Sequence, residues 1–315
     1  MSTVGFFGKI AARGDFVRVN VSGDGPLSLA SWLDSVVEET VTSGVQLPKR
    51  GVYFFFREAN KPSAFVGFAR VSQDSVGRRF PSTVFAELDQ NTVAQSFAGI
   101  PSAYAEFFSV AQELSSEYES IAVDTLNERL ARIQLPSPER IQASHQDVLN
   151  AMAETTSDMF HRDVLGTPSR DAAYYAYSTL LTAAQRGQTL LDCSYMQAQQ
   201  LGFWLELGGR ALSARQKPPG FIWQPPVPSA SYGSFTLENL PPAKAGRLLL
   251  SPGSLPPISM ALVDASERQH NKLWPLTTES EAARKRSRES LPAGLRGVLD
   301  SSEPPLDAVA KGIGR

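Results

Sequence analysis

The chain has 315 residues, of which 42% are hydrophobic and 20% are charged, with a formal net charge of −2 and a pI near 6.0. This nearly balanced charge gives no overall field that would draw the protein to nucleic acid or to an anionic membrane. Because no segment approaches the ~20 apolar residues that span a bilayer, we expect a cytoplasmic protein with no nucleic-acid partner and no membrane insertion.

The first loop region, residues 8–16, combines glycines and charges beside a short apolar run. Residues 4–7 are predicted to form a buried strand, and the glycines that follow indicate backbone that turns tightly or is closely approached. A phosphate-binding P-loop is excluded, because the glycine spacing is too short and no hydroxyl residue follows Lys9. The residues of interest in this region are Gly8, Lys9, Gly14, Asp15 and Phe16.

The next eighty residues predict one helix and three further strands. Apolar side chains recur at three- and four-residue steps between residues 26 and 42, as on one face of a helix. The aromatic-rich runs 51–57 and 64–71 are predicted to form a hairpin, and another strand follows at 83–88. Because these strands are close in sequence, a mixed and largely antiparallel sheet is expected.

A second loop region, residues 74–81, carries an arginine pair behind a glycine that can adopt a left-handed turn. Two interpretations are open. In one, the arginines bind a phosphate or a carboxylate of a ligand. In the other, one arginine pairs with Asp15 or Asp74 and holds the two loop regions together. The residues of interest here are Gly77, Arg78, Arg79, Phe80 and Pro81.

The middle of the chain is predicted to be mainly helical. Helices are predicted at 104–114, 126–133, 139–157 and 171–186. The chain is then expected to return to the sheet as strands at 188–193 and at 201–207, the run LGFWLEL. Helices covering a sheet make residues 1–210 a single α/β sandwich domain.

The composition changes after residue 210. Ten prolines lie between residues 218 and 257, and this density predicts that 211–257 is irregular, extended chain wrapping a surface, with one short strand near 232–237. Residues 258–315 are charged and poor in apolar periodicity. They are therefore expected to form a peripheral or partly disordered tail.

No group of residues in the sequence points to an active site or a metal site. The three histidines are too far apart for the spacing of a zinc site. His161 is expected at a solvated helix end, and the single cysteine, Cys193, is expected to be a buried reduced thiol. We therefore expect no catalytic residue, no metal, no cofactor and no small-molecule substrate.

The two loop regions together resemble the TagF family, accessory proteins of bacterial type VI secretion. The family's first pattern matches at Gly8-Lys9 and at Gly14-Asp15-Phe16-Val17, with Ala11 where proline is usual. Its second pattern, Gly-Arg-x-Phe-Pro, matches at residues 77–81, and a tryptophan-bearing strand near Trp204 is also similar. The resemblance covers residues 1–90 and extends toward residue 250.

This resemblance implies a three-layer α/β/α sandwich and a cytoplasmic, non-enzymatic regulator. Family members repress type VI secretion post-translationally through the forkhead-associated scaffold protein Fha, which is the partner expected here. Some are fused to a metal-dependent phosphatase, but this chain shows no corresponding set of metal carboxylates. The signature residues then form either an exposed, charged ledge that contacts Fha or a buried latch between the loops.

Two other functions stay open. A phosphate-handling hydrolase would use Asp15, Lys9 and Arg78 around a phosphoryl group, and it predicts that the three side chains converge in a deep pocket. A pure assembly scaffold would present the proline-rich region 216–257 to a groove in a partner. That hypothesis predicts that deleting the region leaves the fold intact.

Overall fold

Eight strands form one sheet in a computed structural model of the protein. The model describes residues 3–31, 33, 51–57, 63–117, 120–165, 170–186, 190–195, 197–212, 220–223, 244–249 and 281–314. The strands are β1 (Val4–Gly8), β2 (Val17–Val19), β3 (Val52–Arg57), β4 (Ala64–Gln73), β5 (Arg79–Leu88), β6 (Leu190–Tyr195), β7 (Gly220–Trp223) and β8 (Lys244–Leu249). Their order is β2-β1-β5-β4-β3-β7-β8-β6, and every neighbouring pair is antiparallel.

Helices cover the sheet and contribute most of the core. The first is α1, described over residues 24–31. The others are α2 (Gln90–Ser96), α3 (Ile100–Ala103), α4 (Ala105–Ser116), α5 (Val123–Arg132), α6 (Pro138–Glu154), α7 (Ser157–Leu165), α8 (Arg170–Arg186), α9 (Gln199–Ala211), α10 (Glu281–Ser290), α11 (Ala293–Asp300) and α12 (Leu306–Ile313). Among the described helices, none combines the length and apolar character needed to cross a membrane.

The sheet is buried on both faces, which gives three layers. Alternate side chains of a strand point to opposite faces, and Phe6 and Phe55 belong to the large cluster shared with α2–α9, α11 and α12. Phe7 and Phe54 belong to a smaller cluster on the other face, where Leu29 of α1 packs. The predicted α/β/α sandwich with a largely antiparallel sheet is thus confirmed.

The expected strand at 201–207 is wrong, because these residues lie in α9 and Trp204 stands in a helix. All residues from Gln200 to Gly208 are buried. A short apolar run that is buried throughout cannot be distinguished from a buried strand by periodicity alone, which is why the sequence predicts a strand here.

The proline-rich region contributes to the sheet. β7 and β8 lie within residues 211–257, and β7 pairs with β3 on one side and β8 on the other. The expected irregular wrapping is therefore wrong for these two segments. The short strand expected near 232–237 lies outside the described residues.

The C-terminal segment also differs from the expected peripheral tail. Residues 281–314 form α10, α11 and α12, and Leu295, Leu306 and Val309 are fully buried in the large core cluster. The backbone of Ser157 donates to the Pro304 carbonyl at 2.8 Å. Two of these helices span only eight residues, and such short stripes are weak in the sequence although tertiary packing stabilises them.

Candidate functional site

A buried ion pair joins the two loop regions. Lys9 follows β1 and Asp74 follows β4, and the Lys9 ammonium lies 2.7 Å from Oδ2 of Asp74. The Asp74 side chain is fully buried and that of Lys9 is 7% exposed. An ion pair shielded from water is strongly destabilised when one partner is lost, since the other charge stays buried. This pair is a brace between the loops.

Asp74 also shapes the turn between β4 and β5. Its Oδ1 accepts hydrogen bonds from the backbone N–H of Val76 at 3.1 Å and of Arg78 at 2.8 Å. Gly77 has φ +88°, a left-handed conformation that favours glycine, and its N–H donates to the Asp74 carbonyl at 3.0 Å. One carboxylate thus fixes both the turn and the contact between the loops.

The Arg78 guanidinium completes this network from the solvent side. Its Nε lies 2.8 Å from Oδ2 of Asp74, and its Nη2 donates to the carbonyl of Gly14. Unlike Lys9, the Arg78 side chain is 61% exposed. Arg78 therefore both supports the loops and presents positive charge to solvent.

The pKa of Asp74 follows from these contacts. Burial raises the pKa of the carboxyl, but the hydrogen bonds from Lys9, from Arg78 and from the Val76 amide together hold it well below its usual value. Because the folded pKa is depressed, the resulting stability is present above the unfolded pKa near 3.8 and is lost as the pH falls below it.

Three phenylalanines pack beneath the brace. The rings of Phe7 and Phe16 are stacked with centroids 5.4 Å apart, and Phe80 meets Phe16 edge-on at 4.4 Å. The Lys9 ammonium lies 5.0 Å from the Phe16 ring centroid, a cation–π distance.

At Gly8, a Cβ would come within 2.6 Å of the Ser82 Cα. The glycine is thus needed because β5 approaches β1 closely.

The tip of the first loop region is exposed. Arg13, Gly14 and Asp15 lie on the surface, and a Cβ on Gly14 would be 3.5 Å from Ser75 Oγ, so this loop lies on the β4–β5 turn. Asp15 accepts a hydrogen bond from the N–H of Phe16 at 2.7 Å. Pro81 is buried within β5, and the side chain of Arg79 lies outside the described residues.

Comparison with known proteins gives a match over the N-terminal part of the chain. Residues 5–133 match the TagF N-terminal domain, described as type VI secretion system-associated. The chain carries a TagF N-terminal domain. This confirms the family predicted from the two loop regions, both of which lie inside the matched segment.

The TagF match is accompanied by a distant structural one. A crystal structure of PA0076 from Pseudomonas aeruginosa PAO1 aligns with 20% sequence identity and a TM-score of 0.37, over 46% of this chain and 78% of that chain. No curated protein sequence matches the chain.

The signature residues of the TagF domain separate into two sets. Lys9 and Phe80 are buried with Gly8, whereas Gly14, Asp15 and Gly77 are exposed and Arg78 links the two sets. The hypothesis of a buried latch therefore fits the buried signature residues, and the hypothesis of an exposed ledge fits the exposed ones. The sequence offers Asp74 only as one possible partner of an arginine and does not single out Val76, although the pattern Asp-x-x-Gly is typical of a turn closed by an aspartate side chain.

The hydrolase hypothesis is not supported by the described ion pairs of the TagF domain. Lys9 and Arg78 converge on Asp74, and the Asp15 carboxylate takes part in none of these pairs. A phosphoryl group would have to displace a buried carboxylate that is already fully hydrogen-bonded. Within the described ranges, no cluster of three or more His, Cys, Asp or Glu side chains is placed to hold a metal ion.

Outside the TagF match, His161 differs from its expected solvated position. It is buried in α7, and its Nε2 lies 3.0 Å from the Tyr177 hydroxyl. Its Nδ1 is buried and has no hydrogen-bond partner among the described residues. Burial lowers the pKa of His161 to about 4, although Asp158 acts in the opposite direction. Cys193 is a buried thiol, as predicted.

Proposed function

We propose that this protein is a cytoplasmic, non-enzymatic repressor of type VI secretion that acts by binding the forkhead-associated scaffold protein Fha. The TagF N-terminal domain supports the link to type VI secretion. The observation that carries the binding hypothesis is the exposed set of signature residues held on a buried brace. The exposed part of the two loop regions, residues 13–15 and 75–78, is called the ledge below.

The ledge has the physical character of a binding surface. Its backbone is fixed by the Lys9–Asp74 pair and by the hydrogen bonds of Arg78 to Asp74 and Gly14. A preorganised loop loses little conformational entropy when a partner binds, so more of the contact energy contributes to affinity. The polar side chains of the ledge rest on the brace on their inner side. Their outer side faces solvent and is available to a partner.

The scaffold hypothesis is less well supported by the fold. Its test, deletion of residues 216–257, would remove β7 and β8 from between β3 and β6 in the sheet. Such a deletion would disrupt the fold itself. Binding through the ledge does not require residues 216–257 to leave the sheet. It is therefore compatible with the position of β7 and β8 inside the sheet.

Two measurements test the proposed function. Purified protein and purified Fha are mixed in a calorimetric titration, and secretion through the type VI apparatus is compared between cells with and without the gene. We expect a saturable complex and increased secretion in the deletion strain. Absence of a complex together with unchanged secretion would reject the proposal.

A control separates binding from folding. Asp15→Lys changes an exposed ledge charge, and Asp124→Lys changes an exposed charge on α5, which is not part of the ledge. Thermal melts of both variants should match the unmodified protein, because neither carboxylate forms a described ion pair. Only the ledge variant should change the affinity for Fha.

A further inference from the structure

The tip of the β4–β5 hairpin exposes an apolar side chain. Three large hydrophobic residues are exposed in the described part of the chain, and Val76 is the most exposed of them at 69%, ahead of Met159 and Leu27. A single exposed valine is common at protein surfaces. At this position, however, it stands on the ledge and its backbone is held by the hydrogen bonds of Asp74.

The backbone of Val76 is held rigidly in this exposed position. Its own N–H donates to Oδ1 of Asp74, the N–H of Asp74 donates to the Arg78 carbonyl at 3.1 Å, and Gly77 closes the turn. At the base of the hairpin, the Ser72 hydroxyl donates to the Phe80 carbonyl at 2.7 Å. An apolar side chain on a rigid protrusion fills a pocket in a partner at low entropic cost, because its backbone is already ordered before binding.

The protein surface around Val76 is positively charged. Two cations, Lys9 and Arg78, share the single Asp74 carboxylate, so the brace keeps one positive charge, and its exposed member is Arg78. Arg13 and Asp15 are both exposed and offset each other. Arg18 is also exposed, and its guanidinium lies 5.3 Å from the ring centroid of Phe7, which stacks on Phe16 next to Lys9.

We infer that Val76 is the apolar anchor of the interface with Fha and enters an apolar socket that is rimmed by carboxylates on the partner. This inference rests on the proposed function and names the chemistry of its contact. Arg78 and Arg13 then face the acidic rim, where charges govern the rate of encounter and its dependence on salt more than the final affinity. Asp15 opposes that rim.

The test measures Fha binding by the full-length chain and by matched variants. Val76→Glu should weaken the affinity at least ~10-fold, because a charge would enter an apolar socket. Met159→Glu is the matched control: Met159 is 55% exposed on α7, and its replacement should leave binding unchanged. Melting curves verify that both variants fold.

Charge variants test the acidic rim with opposite signs. Arg13→Glu should slow association several-fold at low ionic strength, whereas Asp15→Asn should accelerate it, and both effects should fade at high salt. Arg132→Glu on α5, where the arginine is 78% exposed, should have neither effect. Equal association rates for all three variants would reject the acidic rim.

The outcomes distinguish this inference from the proposed function. If the unmodified protein does not bind Fha, the proposed function fails. If it binds and Val76→Glu binds equally well, only the anchor is rejected. If Val76→Glu abolishes self-association of the chain in sedimentation experiments while Fha binding persists, the tip contacts a second copy and the inference is overturned.

Discussion

Lys9 contributes to the fold through a carboxylate that solvent does not reach. The cation is nearly buried, contacts Asp74 at 2.7 Å and lies over the Phe16 ring. Lysine is rarely buried unless it is paired, so the buried position of Lys9 depends on Asp74. The buried position of Asp74 depends on Lys9 in the same way. At this scale the signature residues of the family act first on stability.

Replacing Lys9 with methionine tests this role. The variant keeps the apolar stem but removes the buried cation beside Asp74, which should destabilise the protein by about 3 kcal/mol and lower Tm by roughly 4–6 °C. Lys311→Met is the control, because Lys311 forms an exposed pair with Asp307 within α12, and such pairs contribute ~0.5 kcal/mol. Equal melting temperatures for the two variants would contradict the brace.

His161 predicts a pH dependence of stability that is independent of the ledge. Its pKa is about 4 in the folded protein, compared with 6.5 as the ordinary value. Between these values the unfolded chain binds a proton that the folded protein does not, so stability decreases as the pH falls from 6.5 to 4. The total loss from this group should be about 3 kcal/mol.

The measurement compares urea unfolding of the unmodified protein and of His161→Gln across this pH range. Glutamine can still hydrogen-bond to Tyr177 but does not titrate. Carboxylates contribute to acid destabilisation in both proteins, so the difference between the two curves isolates His161. A constant difference from pH 6.5 to pH 4 would show that His161 titrates normally.

At the scale of elements, the C-terminal helices are part of the core. Leu295 of α11 is fully buried, and Gly312 of α12 approaches its backbone so closely that a Cβ would lie 3.0 Å from the Leu295 Cα. Tyr174 of α8 donates to Asp300 at the end of α11, and the Arg170 guanidinium donates to the Asp300 and Ser301 carbonyls at 3.1 Å each. These contacts attach α11 to the preceding helices.

Leu295→Ala should therefore behave as a core substitution. Removal of a buried leucine side chain leaves a cavity, and we expect a loss of about 2–5 kcal/mol in chemical denaturation. Leu27→Ala on α1 is the matched control, because Leu27 is 45% exposed, and it should cost less than ~1 kcal/mol. A peripheral tail would instead give the same small effect at both positions.

The sequence predicts those elements whose pattern is local. The hairpin of β3 and β4 follows from two aromatic-rich apolar runs, α4, α5 and α8 follow from apolar stripes and α6 follows from a polar helical segment, and all are confirmed. The sequence predicts a strand at α9 because its apolar run is short and every residue from Gln200 to Gly208 is buried, so periodicity alone does not separate a helix from a strand there. β7 and β8 were missed because prolines surround them, while pairing with distant strands determines their structure.

The candidate site is predictable only where its sequence pattern is local. Glycines and paired charges marked the two loop regions, but charge pairing across 65 residues has no local signal, so Lys9 could not be assigned to Asp74. The exposure of Val76 was equally hidden, since a valine in sequence reads as a core residue. Whether a residue braces the loops or faces a partner is decided by tertiary packing.

At the scale of the whole molecule, the sheet combines strands from the first 88 residues with strands from residues 190–249. β3 lies between β4 and β7, which is more than 160 residues away in sequence. Trp223 of β7 packs against Tyr53 at 5.7 Å and against Phe108 of α4 at 4.9 Å. The segment that matches the TagF domain therefore shares both its sheet and its core with later residues.

This sharing predicts that residues 1–133 do not fold alone. Without β7, the inner strand β3 becomes an edge with unpaired backbone groups, and the aromatic residues that Trp223 covers become exposed. We expect the isolated segment to lack the cooperative thermal transition of the full chain and to aggregate. Circular dichroism melts of both proteins in the same buffer provide the measurement. A cooperative transition of the segment near the Tm of the full chain would show that the core divides at residue 133.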